Sequence, residues 1–316
     1  MEAPIIWFVI PCYNEEQVLP ETSGLFEEHL CSLIKEGLVS SKSRICFVND
    51  GSSDDTWDII SELAKEPLFE GISLSRNQGH QNALLAGLME AKNHCDAAIS
   101  IDCDGQDDIL ASRSMILSFR DGAEIVYGVR SNRDTDTRFK KMTAEAFYKL
   151  LSSLGVDVVF NHADYRLMSK KALIALSQFK EVNLFLRGLV PLIGLSSDTV
   201  EYERAPRMAG ESHYPLKKML SLAIDGITSL STKPLHLISM TGIIASALGI
   251  IGIIWSIATA LTGHSVAGWS SVICAICLLG GLQLLCLGVI GEYIGKIYLE
   301  VKERPRYLIA ERTYHE

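Results

Sequence analysis

The sequence predicts an α/β domain built on a mainly parallel sheet, followed by an interfacial helix and two helices that cross a membrane. Three observations carry that expectation. Short, continuous apolar runs alternate with helix-patterned segments through the first two thirds of the chain. From Pro234 to Gly291 there is no Asp, Glu, Lys or Arg. The mean hydropathy of the 316 residues is +0.20, high for a water-soluble chain.

Strands are expected at Ile5–Ile10, Ile45–Val48, Gly71–Leu74, Ala97–Ile101 and Ile125–Val129. Each is a short apolar run without strict alternation, the pattern of strands covered on both faces of a parallel sheet. Helices are expected between them, at Glu16–Lys35, Asp54–Lys65, Gln81–Lys92 and Ile109–Phe119. Pro11 is read as ending the first strand. Repetition of strand and helix implies right-handed crossovers, with ligands bound beyond the carboxyl ends of the strands.

The uncharged region divides at "LTGHSVAGW", and each half exceeds the roughly 20 residues a spanning helix needs. Lys217, Lys218 and Lys233 precede the first half, while Lys296, Lys302, Arg304, Arg306 and Arg312 follow the second. The connecting loop has no Lys or Arg, so the positive-inside rule places the domain and both termini in the cytoplasm. Trp269, beside the loop, is read as an outer-interface anchor. Pro215–Thr232 mixes apolar positions with Lys217, Lys218 and Asp225, as an amphipathic helix on the membrane surface does. The chain therefore reads as a cytoplasmic domain over 1–210, a juxtamembrane segment over 211–233, two spans over 234–291 with a short external loop near 262–268, and a basic cytoplasmic tail over 292–316. The opening "MEAPIIWFVIPCYNEE" is read as a strand; its apolar run is too short, and lacks the basic flank, for a signal peptide.

Composition excludes some functions. A net charge of -9 argues against nucleic acid as a partner. The 8 cysteines form no pair of CxxC motifs, which argues against a zinc site. Cys274 and Cys277 have CxxC spacing within an apolar segment and read as packing residues in a reducing compartment. There is no GxxxxGK[ST] loop and no GxGxxG fingerprint. "DCDGQD" is not a calcium loop, because its glycine falls too early and Arg113 stands where the bidentate Glu belongs.

Polar chemistry gathers at the strand ends. "PCYNEE" follows the first, "NDGSSDDT" the second, "SRNQGHQNALLAGL" the third, "IDCDGQDD" the fourth and "RSNRDTDTRFKK" the fifth. Residues two apart in extended chain point the same way, so Asp102 and Asp104 can share one side. Their hard oxygens suit Mg²⁺ or Mn²⁺, which fills its remaining positions with substrate phosphates and water. Asp107 and Asp108 are read as solvated, or as caps for the helix near Ile109.

In order along the chain, "PCYNEE", "VNDGSSDDT", "LSRNQGHQNALLAGL", "SIDCDGQDD", "YGVRSNR", "HADYRLMS", "NLFLRGLV", "AGESHYPL", the paired spans and "GEYIGKIYLEVKERPRYL" resemble the polyisoprenyl-phosphate glycosyltransferases of glycosyltransferase family 2. These include bactoprenol glucosyltransferases and relatives of dolichyl-phosphate mannose synthase. The resemblance covers nearly the whole chain. It implies a GT-A nucleotide-sugar domain that moves one sugar, on a UDP carrier, to a polyprenyl phosphate such as undecaprenyl phosphate. It further implies that Pro11, Tyr13, Glu15 and Asp50 line the nucleotide. Asp102, Asp104 and Gln106 would serve the metal and diphosphate, with Asp164 at the reaction centre. Arg130, Lys141, Arg207 and His213 would meet donor and acceptor phosphates. Asp164, Asp104 and Arg130 are thus the expected catalytic residues. A homo-oligomer and a flippase partner are implied in the same way.

The chain departs from the family pattern at Gly105 and Asp108, where Leu and Pro are common. It also departs at His213, which stands for a lysine and is mostly neutral at pH 7 when unperturbed. The QxxRW motif of processive synthases is absent, which fits one transfer per cycle. In-line attack by the acceptor phosphate would invert the anomeric centre. Two alternatives stand beside this reading: a different lipid acceptor such as diacylglycerol, and a non-catalytic membrane scaffold or flippase partner.

Overall fold

The structure, a computed structural model, describes residues 2–131, 162–203, 228, 231–261 and 269–314. Lys141, Arg207, His213, almost all of the Pro215–Thr232 segment and the loop 262–268 lie outside the described residues.

β1 (Ile6–Cys12) is buried along its whole length. Its alternation sends Ile6, Phe8 and Ile10 to one face of the sheet and Trp7 and Val9 to the other. The first face packs on α1 (Leu19–Lys35), α2 (Thr56–Leu63) and α4 (Ala111–Arg120). The second packs on α3 (His80–His94), α5 (Lys170–Leu176) and α6 (Leu186–Leu192). The result is a three-layer α/β/α arrangement. β2 (Arg44–Asn49), β3 (Phe69–Leu74), β4 (Ala97–Ser100) and β5 (Ile125–Arg130) fall within about two residues of the expected positions.

Pro11 does not end β1. It pairs with Val48, inside the strand. The missing N–H costs nothing there. Ile101 N donates to Val9 O, so Val9 and, two residues on, Pro11 face the β4 edge, where β4 has already ended at Ser100. Helix α1 starts at Leu19 rather than Glu16. Asn14 takes a left-handed φ of 54°, and Pro20 occupies the first turn, where its missing donor is harmless.

The sheet has eight strands in the order β7-β5-β6-β4-β1-β2-β3-β8. β1, β2, β3 and β4 are joined in parallel, as are β5 and β7. Between β4 and β5 lies an unanticipated strand, β6 (His162–Ser169), antiparallel to both. β7 (Ser197–Tyr202) closes one edge. β8 (Ile309–Arg312) closes the other, antiparallel to β3. β8 comes from the segment read as a basic tail. Tyr314 beyond it packs edge-on to Trp7 and His94, and Arg312 pairs with Glu90 at 2.8 Å.

α7 (Lys233–Leu261) and α8 (Trp269–Val301) have 29 and 33 residues. Windows at Lys233–Gly252 and Leu278–Val301 are long and apolar enough to cross a membrane, and none of either window is buried within the chain.

Candidate active site

The loops after β1, β2 and β3 interlock. Asn14 N donates to Ser52 Oγ at 3.0 Å, and Ser53 N returns a bond to Asn14 Oδ1 at 2.9 Å. Glu15 N donates to Thr56 Oγ1 at 2.9 Å. Asp50 is buried and accepts from Gln78 N at 2.7 Å and Gly79 N at 2.9 Å, one bond per carboxylate oxygen. Burial pushes its carboxyl above the ordinary value, against those two bonds and His80. Gly51 makes this contact possible: its φ is +63°, and a Cβ there would lie 2.4 Å from the backbone carbon of Arg76. Pro11 sits beneath these loops, and Tyr13 stands exposed at their lip.

The antiparallel register of β4 and β6 pairs Ser100 with Arg166. Continued by two residues, it sets Asp164 opposite Asp102. Ser100 Oγ donates to Asp164 O at 2.5 Å and holds that register. His80, the first residue of α3, puts its Nε2 3.5 Å from Asp102 and 3.7 Å from Asp164. Asp164 is gripped from below by Arg166 at 2.6 Å and from the side by Arg187, whose Nε and Nη2 reach its two oxygens at 3.2 and 3.0 Å. Burial alone would raise the Asp164 carboxyl, but Arg187 and Arg166 outweigh it and hold the group well below the usual carboxylate range. Asp102 goes the other way. Burial pushes it up to about 6; His80 opposes this, while Asp164, Asp107 and Asp104 add to it.

A second charged group lies on the other face of the sheet. Asp107 Oδ1 accepts from Arg130 Nη2 at 3.1 Å and from Tyr202 O–H at 2.7 Å. Its side chain is 1% exposed, so it is not the solvated residue the sequence suggested. The correction has a physical cause: β7 delivers Tyr202 and β5 delivers Arg130 to the same point, and both donors keep the carboxylate dry. Arg130 also donates to Tyr202 Oη at 3.2 Å, so it is engaged with Asp107 and Tyr202 here. Asp108, read as solvated or as a cap, accepts from Leu110 N at 3.0 Å just before α4. Asp104 accepts from Gln106 N at 3.1 Å across Gly105, whose φ is +67°.

Asp102, Asp104 and Gln106 offer two carboxylates and an amide oxygen, the hard donors that Mg²⁺ and Mn²⁺ take. Among the described residues no group of three His, Cys, Asp or Glu side chains could hold a metal ion. A cation there would complete its shell with phosphate oxygens and water, the usual arrangement for Mg²⁺. The donor set suits such an ion, whose charge would offset the burial and, after it, the neighbouring carboxylates that raise Asp102.

His80, Arg166, Arg187 and Tyr202 were not among the expected site residues. Arg166 was recoverable, because it lies two residues from Asp164 and so on the same side of any strand. His80 opens the helix after the third strand, a position the sequence marked without assigning it a role. Arg187 lies within "NLFLRGLV", a stretch the resemblance marked without giving that residue a role, and Tyr202 carried no local signal.

Residues 7–177 match the family described as "Glycosyl transferase family 2", and residues 233–297 match the "GtrB C-terminal hairpin". The "Uncharacterized glycosyltransferase YkoT" of Bacillus subtilis (strain 168) is 49% identical over 314 residues, covering 99% of this chain and 93% of that one. The "Bactoprenol glucosyl transferase" of Shigella phage SfX is 41% identical over 313 residues, covering 97% and 99%. A "Prophage bactoprenol glucosyl transferase homolog" of Escherichia coli (strain K12) is 40% identical over 310 residues, covering 96% and 98%. The three-layer domain, the polar rim at the ends of its strands and the apolar helix pair are accordingly those of a glycosyltransferase with the GT-A fold, and the chain belongs to glycosyltransferase family 2.

Proposed function

We propose that the protein transfers a single sugar from a nucleotide diphosphate sugar, UDP-linked, to a polyprenyl phosphate at the cytoplasmic face of a cell membrane, with α7 and α8 as the spans. The observation that carries the reading is the meeting of Asp102, just past β4, and Asp164, near the start of β6, at the His80 ring, with arginines on Asp164. The names of relatives at about 40% identity over nearly the whole chain support the acceptor class.

Pro11, Tyr13, Glu15 and Asp50 would receive the nucleotide, with the exposed Tyr13 ring as a stacking surface. Asp102, Asp104 and Gln106 would hold Mg²⁺ or Mn²⁺, which as a Lewis acid would neutralise charge on the departing diphosphate. Asp164 is anionic and held by two guanidiniums, so at neutral pH it is a poor proton acceptor. The acceptor phosphate is already anionic and needs no strong base. Asp164 therefore acts by holding Arg187 and His80 at the site, where their donors face developing negative charge. Attack in line with the leaving group inverts the anomeric centre.

The membrane helices serve the same chemistry. A polyprenyl tail gains about 0.8 kcal/mol per buried CH₂, so the acceptor stays in the bilayer and the domain must be held at headgroup level. The test offers a panel of nucleotide sugars with undecaprenyl phosphate, then extracts the lipid for mass spectrometry. A glycosylated polyprenyl phosphate is expected, and Asp104→Asn should nearly abolish it while the protein stays folded. Sugar appearing on diacylglycerol instead would overturn the acceptor. Wild-type turnover by Asp104→Asn would overturn the metal assignment.

A further inference from the structure

The last turns of α8 carry its only charges, Glu292, Lys296 and Glu300, spaced four apart and so along one stripe. Glu300 faces the glycosyltransferase domain. Its Oε1 accepts from Val182 N, Asn183 N and Asn183 Nδ2, each at 2.9 Å, and its Oε2 lies 2.9 Å from Val182 N. Asn183 Nδ2 also reaches the carbonyl of Lys296, one turn back, at 3.4 Å. Arg306, just past the helix, donates to Phe179 O at 3.1 Å. Exposed ion pairs contribute little. This carboxylate is different, because it takes charge-assisted bonds from backbone N–H groups in a stretch without helix or strand to satisfy them.

That stretch leads straight into the site. Leu186 N donates to Gln81 Oε1 at 2.9 Å, and Leu186 O accepts from Arg166 Nη1 at 3.3 Å. Gln81 is the neighbour of His80 on α3. The next residue is Arg187, whose guanidinium takes both oxygens of Asp164. Residues 182–187 thus form a strap pinned at one end by the membrane-proximal helix and at the other by groups that touch Asp164.

We propose that Glu300 is a positioning residue for sugar transfer. It fixes the 182–187 strap against the end of α8, so that Arg187 meets Asp164 in its two-pronged geometry. The proposal rests on the reading that Asp164 stands at the reaction centre. It makes the seating of α8 and the geometry of the site one mechanical unit, which suits an enzyme whose acceptor is fixed in a bilayer. Three donors converge on Oε1, so glutamine can keep those bonds with its amide oxygen; it loses the charge and turns an N–H₂ toward Val182 N, which also lies against Oε2.

The experiment uses the full chain in detergent or nanodiscs: wild type, Glu300→Ala, Glu300→Gln, Arg187→Ala, and each Glu300 variant combined with Arg187→Ala. Turnover with polyprenyl phosphate and UDP affinity by calorimetry are both read. Glu300→Ala should lower kcat between about 10- and 100-fold. The donor KM and UDP affinity should change less than about twofold, since the nucleotide loops are held by other contacts. Glu300→Gln should fall between wild type and Glu300→Ala. The double variant should be no slower than Arg187→Ala, because both changes break one connection. Additive losses, an unchanged kcat in Glu300→Ala, or a rise in KM alone would each overturn the proposal. If Glu300→Ala does not fold, the Glu300→Gln cycle decides by the same criterion. If the wild type glycosylates another lipid, the acceptor reading falls, and the cycle run with that lipid still tests Glu300.

Discussion

Asp164→Asn tests the buried half of the site most sharply. Asparagine keeps the shape of the side chain and removes its charge. Arg166 beneath it is 1% exposed, and the Asp164 side chain is 10% exposed. Arg166 Nε already has no hydrogen-bond partner, so with asparagine the buried guanidinium is left with a neutral amide oxygen and Leu186 O at 3.3 Å, and no counter-charge on this side chain. Breaking a buried pair on one side costs about 3–5 kcal/mol, because the partner charge stays buried. Arg187 is 40% exposed and can turn to water, so it adds little to that figure. For a chain of this size the cost lowers the unfolding midpoint by roughly 6–20 °C. Replacing both members, in Asp164→Asn with Arg166→Met, should return stability to within about 1 kcal/mol of wild type. Sugar transfer should stay about 100-fold or more below wild type in both variants. Intrinsic fluorescence on heating in detergent gives the midpoints, and turnover is measured below the lowest of them. Wild-type stability in Asp164→Asn would refute the buried-pair argument. Recovered transfer in the double variant would remove Asp164 from the reaction centre. The pH dependence follows from the depressed carboxyl: the stability it contributes is complete above its unfolded value near 4 and is lost as pH falls through the lower folded value. The gap between wild type and Asp164→Asn should therefore hold from pH 7 down to about 5 and narrow only below about 4.

Three further outcomes are expected. Gly51→Ala forces a side chain to φ +63° and against the Arg76 backbone, a strain of about 1–2 kcal/mol before any clash, and should weaken UDP binding in calorimetry; unchanged affinity would separate this loop contact from the nucleotide site. Tyr202→Phe removes the 2.7 Å bond to Asp107, whose Oδ2 already lacks a partner, and should cost about 1–3 kcal/mol in thermal unfolding; a neutral result would mean that water replaces the hydroxyl. Because the Asp102 carboxyl sits at about 6, Mn²⁺ should bind more weakly as pH drops below that value and should release about one proton near pH 5.5. Calorimetry in two buffers of different protonation enthalpy reads this directly, and equal affinity at pH 5 and pH 7 would exclude Asp102 as a ligand.

The first five strands were legible because burial on both faces favours short runs of mostly apolar residues, such as "IWFVI" and "ICFV", set between helix-patterned segments. β6 was hidden by its own polar residues: "HADYRLMS" interrupts its apolar positions with Asp164 and Arg166, which belong to the candidate site. β7 and β8 lie at the sheet edges and are largely exposed, so "SDTVEY" and "IAER" lack the apolar pattern of the interior strands. The acids of "DCDGQDD" were found, but not their fates. Whether Asp107 is wet or dry depends on Tyr202, 95 residues away, and no local pattern reports that contact.

The placement of β6 sets part of the candidate site on a strand rather than on a loop. Parallel strands end at the rim where ligands bind, so residues offered there usually ride on loops. An antiparallel strand begins at that rim. Asp164, near the start of β6, lies at the edge while Arg166 and Leu167 descend into the sheet, so the acid stands on a strand with its cation buried beneath it. Asp107, on the other face, is anchored in the same manner by β5 and β7. These two acids carry arginines supplied by the fold before any ligand arrives. Asp102 faces a histidine instead, and its carboxyl has risen to about 6. A cation entering this rim gains most where the chain's own compensation is weakest. On that ground Asp102 would be the acid to take an external ion in the proposed metal site, while Asp164, similarly close to His80, holds its arginines.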